Sequence, residues 1–145
     1  MHRNDSKTES TVGRSVPTTL VRALRIATVL TVFMVVWQGA TAGELISGEP
    51  AALRYHQAGA IVLHVVAAAA AVAAFLLRRR SGGPLWPSVL GVVTFVCTLV
   101  QAAVGDAGVM ALHVPMALVL MLGSAVLLAW SFLPAPGSRV RSETP

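Results

Sequence analysis

The sequence predicts an all-α integral membrane protein: a four-helix bundle made of two tandem helical hairpins. Three observations carry that expectation. Of 145 residues, 55% are hydrophobic and only 12% charged, with a mean hydropathy of +0.73, which is more apolar surface than a soluble domain of this length can hide. The apolar residues cluster, and residues 26–43, 55–77, 81–105 and 107–138 contain no Asp, Glu, Lys or Arg. A helix rises about 1.5 Å per residue and needs about 20 residues to cross a hydrocarbon core about 30 Å thick, so each run supports one crossing. Finally, the basic residues fall in alternate connections, as a chain that crosses back and forth requires.

Taken in order, residues 1–19 begin MHRNDSKTESTVGRSVP and read as a disordered, polar cytoplasmic tail. The first helix is placed near 20–42, after Arg22 and Arg25, and ends in WQGATAGE. Its A-T-A at 40–42 also resembles a signal-peptide cleavage site. The long basic leader and the repeat described below favour a retained membrane helix instead. The second helix, near 57–77, is closed by Arg78, Arg79 and Arg80, and its alanines at 67–71 and 73–74 form a narrow face for close helix packing. The third, near 85–105, holds the sole cysteine, Cys97, which cannot form an internal disulfide and reads as a small buried residue. The fourth lies near 109–132. Pro115 falls in its first turns, where few backbone bonds are lost. Residues 20–133 thus form the bundle and 134–145 a second cytoplasmic tail.

A net charge of +5 and a pI of 11.1 suggest nucleic acid until the charges are located. Arg3, Lys7, Arg14, Arg22 and Arg25 precede the first helix, the three arginines at 78–80 follow the second, and Arg139 and Arg141 follow the fourth. Arg54 shares the first loop with Glu44 and Glu49, and Asp106 is alone in the other. Positive flanks stay cytoplasmic, so both termini and the middle loop are expected inside a bacterial cytoplasmic membrane. The basicity then sets topology and contacts anionic lipid; no nucleic-acid partner is expected. Trp37, Trp86 and Trp130 fall near helix ends, where an interfacial aromatic belt would sit.

The two hairpins look like copies. WQGATAGE ends the first helix and VQAAVGDAG the third, so a glutamine, small residues and a glycine recur near the outer end. Each is followed by a loop and a helix with histidine in its opening part. Such tandem copies would be related by an axis along the membrane normal. The partner of His113 in this repeat is ambiguous. GAIVLHV around His64 parallels GVMALHV around His113, whereas membrane depth favours His56, which lies 22 residues before Arg78 as His113 lies 21 before Pro134.

Ionisable residues inside membrane helices are costly and usually mark a site. Helices 2 and 4 run the same way and can occupy opposite corners of the bundle. Two imidazoles reaching inward from them, His56 and His113 with His64 as competitor, could bind a b-type haem iron from both sides near the outer face. Gly43, Gly59, Ala60, Gly105 and Gly108 would then admit a flat macrocycle, and Arg54 would be a partner for a propionate. Gln38 and Gln101 are candidates for lining a haem or quinone edge, or for interhelical hydrogen bonds. The alternative for the histidines is structural: neutral imidazoles that tie helices together. Met110, Met116 and Met121 lack the close spacing of a copper site and read as core filling. With no CxxCH motif, covalent haem attachment is excluded.

QAAVG at 101–105 with the following Leu112 and His113, together with GATAGELISG at 39–48, resembles the repeat of the haem A synthase family over roughly residues 20–133. The resemblance implies a half-length, cytochrome-like member in which His56 and His113 are haem ligands and two copies pair. It does not extend to catalysis. The family's catalytic half carries a glutamate three residues before the histidine and an arginine directly after it; here those positions are Leu53 and Gln57, or Ile61 and Val65 if His64 is taken. No acidic residue is expected inside any helix. The reading is therefore a haem-holding protein for electron transfer or haem handling, not a complete synthase, with a haem-free membrane scaffold or accessory subunit as its rival. Membrane lipid and a homodimer or larger membrane complex are the expected partners.

Overall fold

A computed structural model describes residues 18–133, which fold into four helices: α1 (Thr18–Ile46), α2 (Ala52–Ser81), α3 (Trp86–Asp106) and α4 (Met110–Phe132). All four are long and apolar enough to cross a membrane. The proposed tails lie outside the described residues, except that Thr18 and Thr19 already belong to α1.

The helices outrun the apolar spans that announce them. α1 continues four residues past its expected end at 42, and α2 begins five residues before 57 and continues through Arg80 to Ser81. Hydropathy marks the stretch that fits hydrocarbon, but backbone hydrogen bonding favours carrying the helix on into the interface. Arg78, Arg79 and Arg80 occupy the last turn of α2, where positive charge complements the helix dipole. Two acidic residues expected in loops are consequently helical: Glu44 in the last turn of α1 and Asp106 at the end of α3. Both sit at helix ends. The two hairpin turns are alike in one respect, for Gly48 (φ 89°) and Gly108 (φ 71°) each supply a left-handed residue that a β-carbon would strain.

The helices form a ring in which α1 touches α2 and α4, and α3 touches α2 and α4; no Cα of α2 lies within 8 Å of α4. Small residues make the ring tight. Thr28, Thr31, Ala67, Gly91, Thr94 and Ser124 surround its axis. A β-carbon on Gly91 would stand only 3.0 Å from the Cα of Ala71, so α2 and α3 meet backbone to backbone along the alanine face. Ala67, Ala70, Ala71, Ala73 and Ala74 are all buried there.

Every seam of the ring carries a polar tie. Arg25 Nε donates to the Ser131 carbonyl (2.9 Å) between α1 and α4, and Ser88 Oγ donates to the Ala74 carbonyl (3.1 Å) between α3 and α2. Thr28 Oγ1 and Ser131 Oγ also meet at 3.4 Å between α1 and α4. The other ties use histidine: His64 with Thr98 at mid-bundle, and His56 and His113 towards the hairpin end, where the α1–α2 and α3–α4 turns are. Such bonds are worth about 0.6 kcal/mol on average in a membrane, so they select register more than they supply stability.

Packing is uneven along the axis. From the terminal end to mid-bundle, Leu24, Leu77 and Leu127, then Met34, Val35, Leu63 and Leu120, form buried clusters. Cys97 and Met121 pack partly buried against the last of these. Past that level only Thr41, Ala52 and Gly59 are buried, and none of the first ten residues of α4 is. The hairpin end buries few side chains between its helices.

Candidate functional site: a pair of imidazoles at the open end

His56 on α2 and His113 on α4 face each other across this end, with ring centroids 6.4 Å apart and ring planes at 51°. Of the two alternatives left by the sequence, it is His56 that stands opposite His113. His64 lies eight residues, about 12 Å, deeper along α2 and bonds to Thr98 on α3 instead.

Each ring is anchored through Nδ1, and the carbonyl partner of His113 fixes its tautomer. His113 Nδ1 lies 3.0 Å from the backbone carbonyl of Gln101, which can only accept, so Nδ1 carries the proton. The bond is reciprocated: Gln101 Nε2 donates to the His113 carbonyl at 2.7 Å. His56 Nδ1 lies 2.9 Å from Thr41 Oγ1, which is also within reach of the carbonyls of Trp37 (3.0 Å) and Gln38 (3.2 Å). When the hydroxyl hydrogen turns to one of those carbonyls, the Thr41 oxygen accepts from His56 Nδ1–H. His64 repeats the arrangement: its Nδ1 lies 2.9 Å from Thr98 Oγ1, which lies 2.7 Å from the Phe95 carbonyl.

That leaves Nε2 of His113 unprotonated, and Nε2 of His56 as well when Thr41 accepts from its Nδ1–H; neither Nε2 has a hydrogen-bond partner among the described residues. Nδ1–H donation to an oxygen is what orients a metal-binding imidazole and raises its basicity. Two nitrogens at about 2.0–2.1 Å from one ion would be about 4 Å apart, which with the inner half of each ring gives centroids about 6 Å apart, close to the 6.4 Å observed. Among the described residues no group of three or more His, Cys, Asp or Glu could hold a metal. Two imidazoles alone suit an ion whose remaining positions are filled by a ligand of its own.

The other expected site residues divide. Gln101 joins the site directly, and its Oε1, like that of Gln38, is buried without a hydrogen-bond partner. Arg54 does not join it. Two residues from His56, it points to a different face of α2, is exposed, and donates to the Tyr55 hydroxyl at 2.7 Å with its guanidinium over that ring. Among the glycines, Gly43 and Gly108 have open space beside them, but Gly59 and Gly105 are covered by protein: a β-carbon would lie 2.8 Å from the Trp37 ring in the first case and 2.8 Å from the His113 ring in the second. These two glycines seat side chains and are not left bare for a macrocycle. Trp37 accordingly packs against Gly59 of α2, nine residues before the end of α1.

Sequence reasoning missed Thr41 and Thr98. Their signal was a lone threonine within one helical turn of each repeat glutamine, three residues after Gln38 and three before Gln101. Because His64 has no ring opposite it, its bond to Thr98 is a helix tie. Thr98→Val is expected to lower the midpoint of thermal unfolding in detergent by no more than a few degrees, measured beside the parent protein; a loss of folding would show the tie to be far more than that.

Comparison with known proteins returns no match: no family model, no curated protein and no solved structure is significantly similar to this chain. The functional reading rests on the site itself.

Proposed function

We propose that the protein is a haem-binding membrane protein that holds one b-type haem through His56 and His113, at the hairpin end of the bundle, for electron transfer or haem handling. The observation that carries the reading is the matched pair of Nδ1-anchored, Nε2-free imidazoles 6.4 Å apart. The open packing of the same end supports it, since only Thr41, Ala52 and Gly59 are buried there. The residues present fit a metal ligated by two imidazoles. A bound haem would supply one-electron chemistry at an iron whose potential depends on its ligands and burial. The protein's own part is to hold both rings in one tautomer, keep water low and surround the rim with hydrocarbon.

Charge placement supports an orientation with the hairpin end outside a cytoplasmic membrane, because Arg22, Arg25, Arg78, Arg79 and Arg80 all sit at the opposite end. The lack of a glutamate beside either histidine argues against haem oxidation as the activity.

The experiment is a spectrum. Protein purified from haem-sufficient cells is expected to show a Soret band and, on reduction, sharp α and β bands; a colourless preparation that stays colourless with added haemin overturns the reading. A second reading, a haem-free scaffold, is favoured by His64, which shows that this chain also uses a histidine–threonine bond purely between helices. Gly105→Ala separates the two. Its methyl would stand 2.9 Å from His113 Nδ1 and force the ring off the Gln101 carbonyl, so the haem reading expects weakened axial ligation, seen as broadened α bands, whereas a scaffold would show only a small loss of stability.

A further inference from the structure

Away from the histidines, the outer surface of α3 and α4 carries an apolar groove of about 530 Å³ lined by Leu85, Trp86, Val89, Leu90, Val93 and Val126. It starts at the first residue before α3 and runs down that helix to Val93, about 12 Å. A groove that opens sideways at this height faces lipid. Its mouth sits at the end of the bundle where, among the described residues, all the cationic side chains but Arg54 are gathered. Arg22, Arg25, Arg78, Arg79 and Arg80 lie there, whereas Glu44, Glu49 and Asp106 all lie at the hairpin end. Among the described residues these five arginines have no carboxylate at their own end.

Their contacts distinguish them. Arg25 is committed to the Ser131 carbonyl, and Arg79 rests over the Phe75 ring. Arg79 and Arg80 are exposed, and Arg78 is half-buried with its Nε shielded and unpaired. A phosphate oxygen is the acceptor that exposed guanidinium N–H groups fit best. Only residues 81–84 separate Arg80 from Leu85 at the groove's mouth, and the first turn of α3 has no side-chain cap on its N–H groups, which adds positive potential at the same height.

From this we infer a lipid site: an anionic phospholipid lays one acyl chain in the α3–α4 groove and its phosphate against the Arg78, Arg79 and Arg80 run. A zwitterionic lipid fills the groove equally well but leaves the arginines beside its own ammonium group, so the site discriminates by headgroup charge. The inference does not depend on what the histidines bind.

The test uses the full chain in detergent with dioleoyl-phosphatidylglycerol or dioleoyl-phosphatidylcholine as the probe, so that only the headgroup differs. The phosphatidylglycerol is expected to raise the unfolding midpoint by several degrees more than the phosphatidylcholine, and to remain bound in native mass spectrometry. Replacing Arg78, Arg79 and Arg80 together by Gln is expected to weaken that retention about tenfold or more and remove the headgroup preference. Val89→Trp, which fills the groove from the lipid side, is expected to lower retention of both lipids; Val93→Trp serves if that variant does not fold. Equal stabilisation by the two lipids, or a preference that survives the triple substitution, overturns the headgroup assignment. Unchanged retention in the groove variants overturns the site.

Discussion

His113→Ala is expected to abolish the six-coordinate haem spectrum while leaving the bundle folded. The imidazole contributes one of the two facing rings, and among the described residues no other histidine is within reach to replace it, since His64 is tied to Thr98 deeper along α2. The structural loss is small. The alanine variant keeps the backbone carbonyl that accepts from Gln101 Nε2, so only the Nδ1 half of the α3–α4 clasp disappears. That half is worth on the order of 0.6–1.7 kcal/mol, a shift of a few degrees in unfolding midpoint for a chain of this size. His56→Ala should behave alike, and His64→Ala should keep the parent spectrum. Imidazole added to the buffer should restore part of the Soret band to His113→Ala, which separates a missing ligand from a damaged fold. An unaltered spectrum in the variant would sink the two-ring assignment.

Gly91→Leu is expected to be the most destabilising single change in the bundle. With Ala71 Cα only 3.0 Å from where its β-carbon would begin, a branched side chain has no direction to turn without separating α2 from α3. Overpacking of this kind costs about 1–3 kcal/mol and sometimes more. The separation would propagate to the neighbouring Ser88–Ala74 and Thr98–His64 ties. Gly43→Ala is the useful contrast, because nothing lies within 4 Å of that position in a helical turn of α1. There the better helix propensity of alanine should leave stability unchanged or raise it by up to about 1 kcal/mol. Thermal unfolding of both variants in one detergent reads the difference in sign. Equal behaviour would mean that the α2–α3 approach does not limit packing.

The four crossings and their pairing into hairpins were legible because hydropathy acts over whole segments and because the glutamine motifs recur. The alanine face of α2 was legible for the same reason: burial of small residues leaves a run in the sequence. Less local features were not. Whether His56 or His64 faces His113 depends on the relative height of two helices, and short apolar repeats match equally well in either alignment. Arg54 looked available by its position in a loop, but α2 starts at Ala52, so helical phase turns it away from His56. The threonine partners were hidden because a threonine in an apolar helix usually bonds to its own backbone, as Thr28 and Thr31 do here; only the structure shows that the Thr41 and Thr98 hydroxyls also meet a histidine across the seam.

One ring of the facing pair comes from the first hairpin and the other from the second. Neither half of the polypeptide owns the centre; it exists only where the halves join. Separate expression of residues 18–82 and 83–133 would turn whatever the rings capture into a reporter of reassembly, silent for either fragment and visible for the mixture.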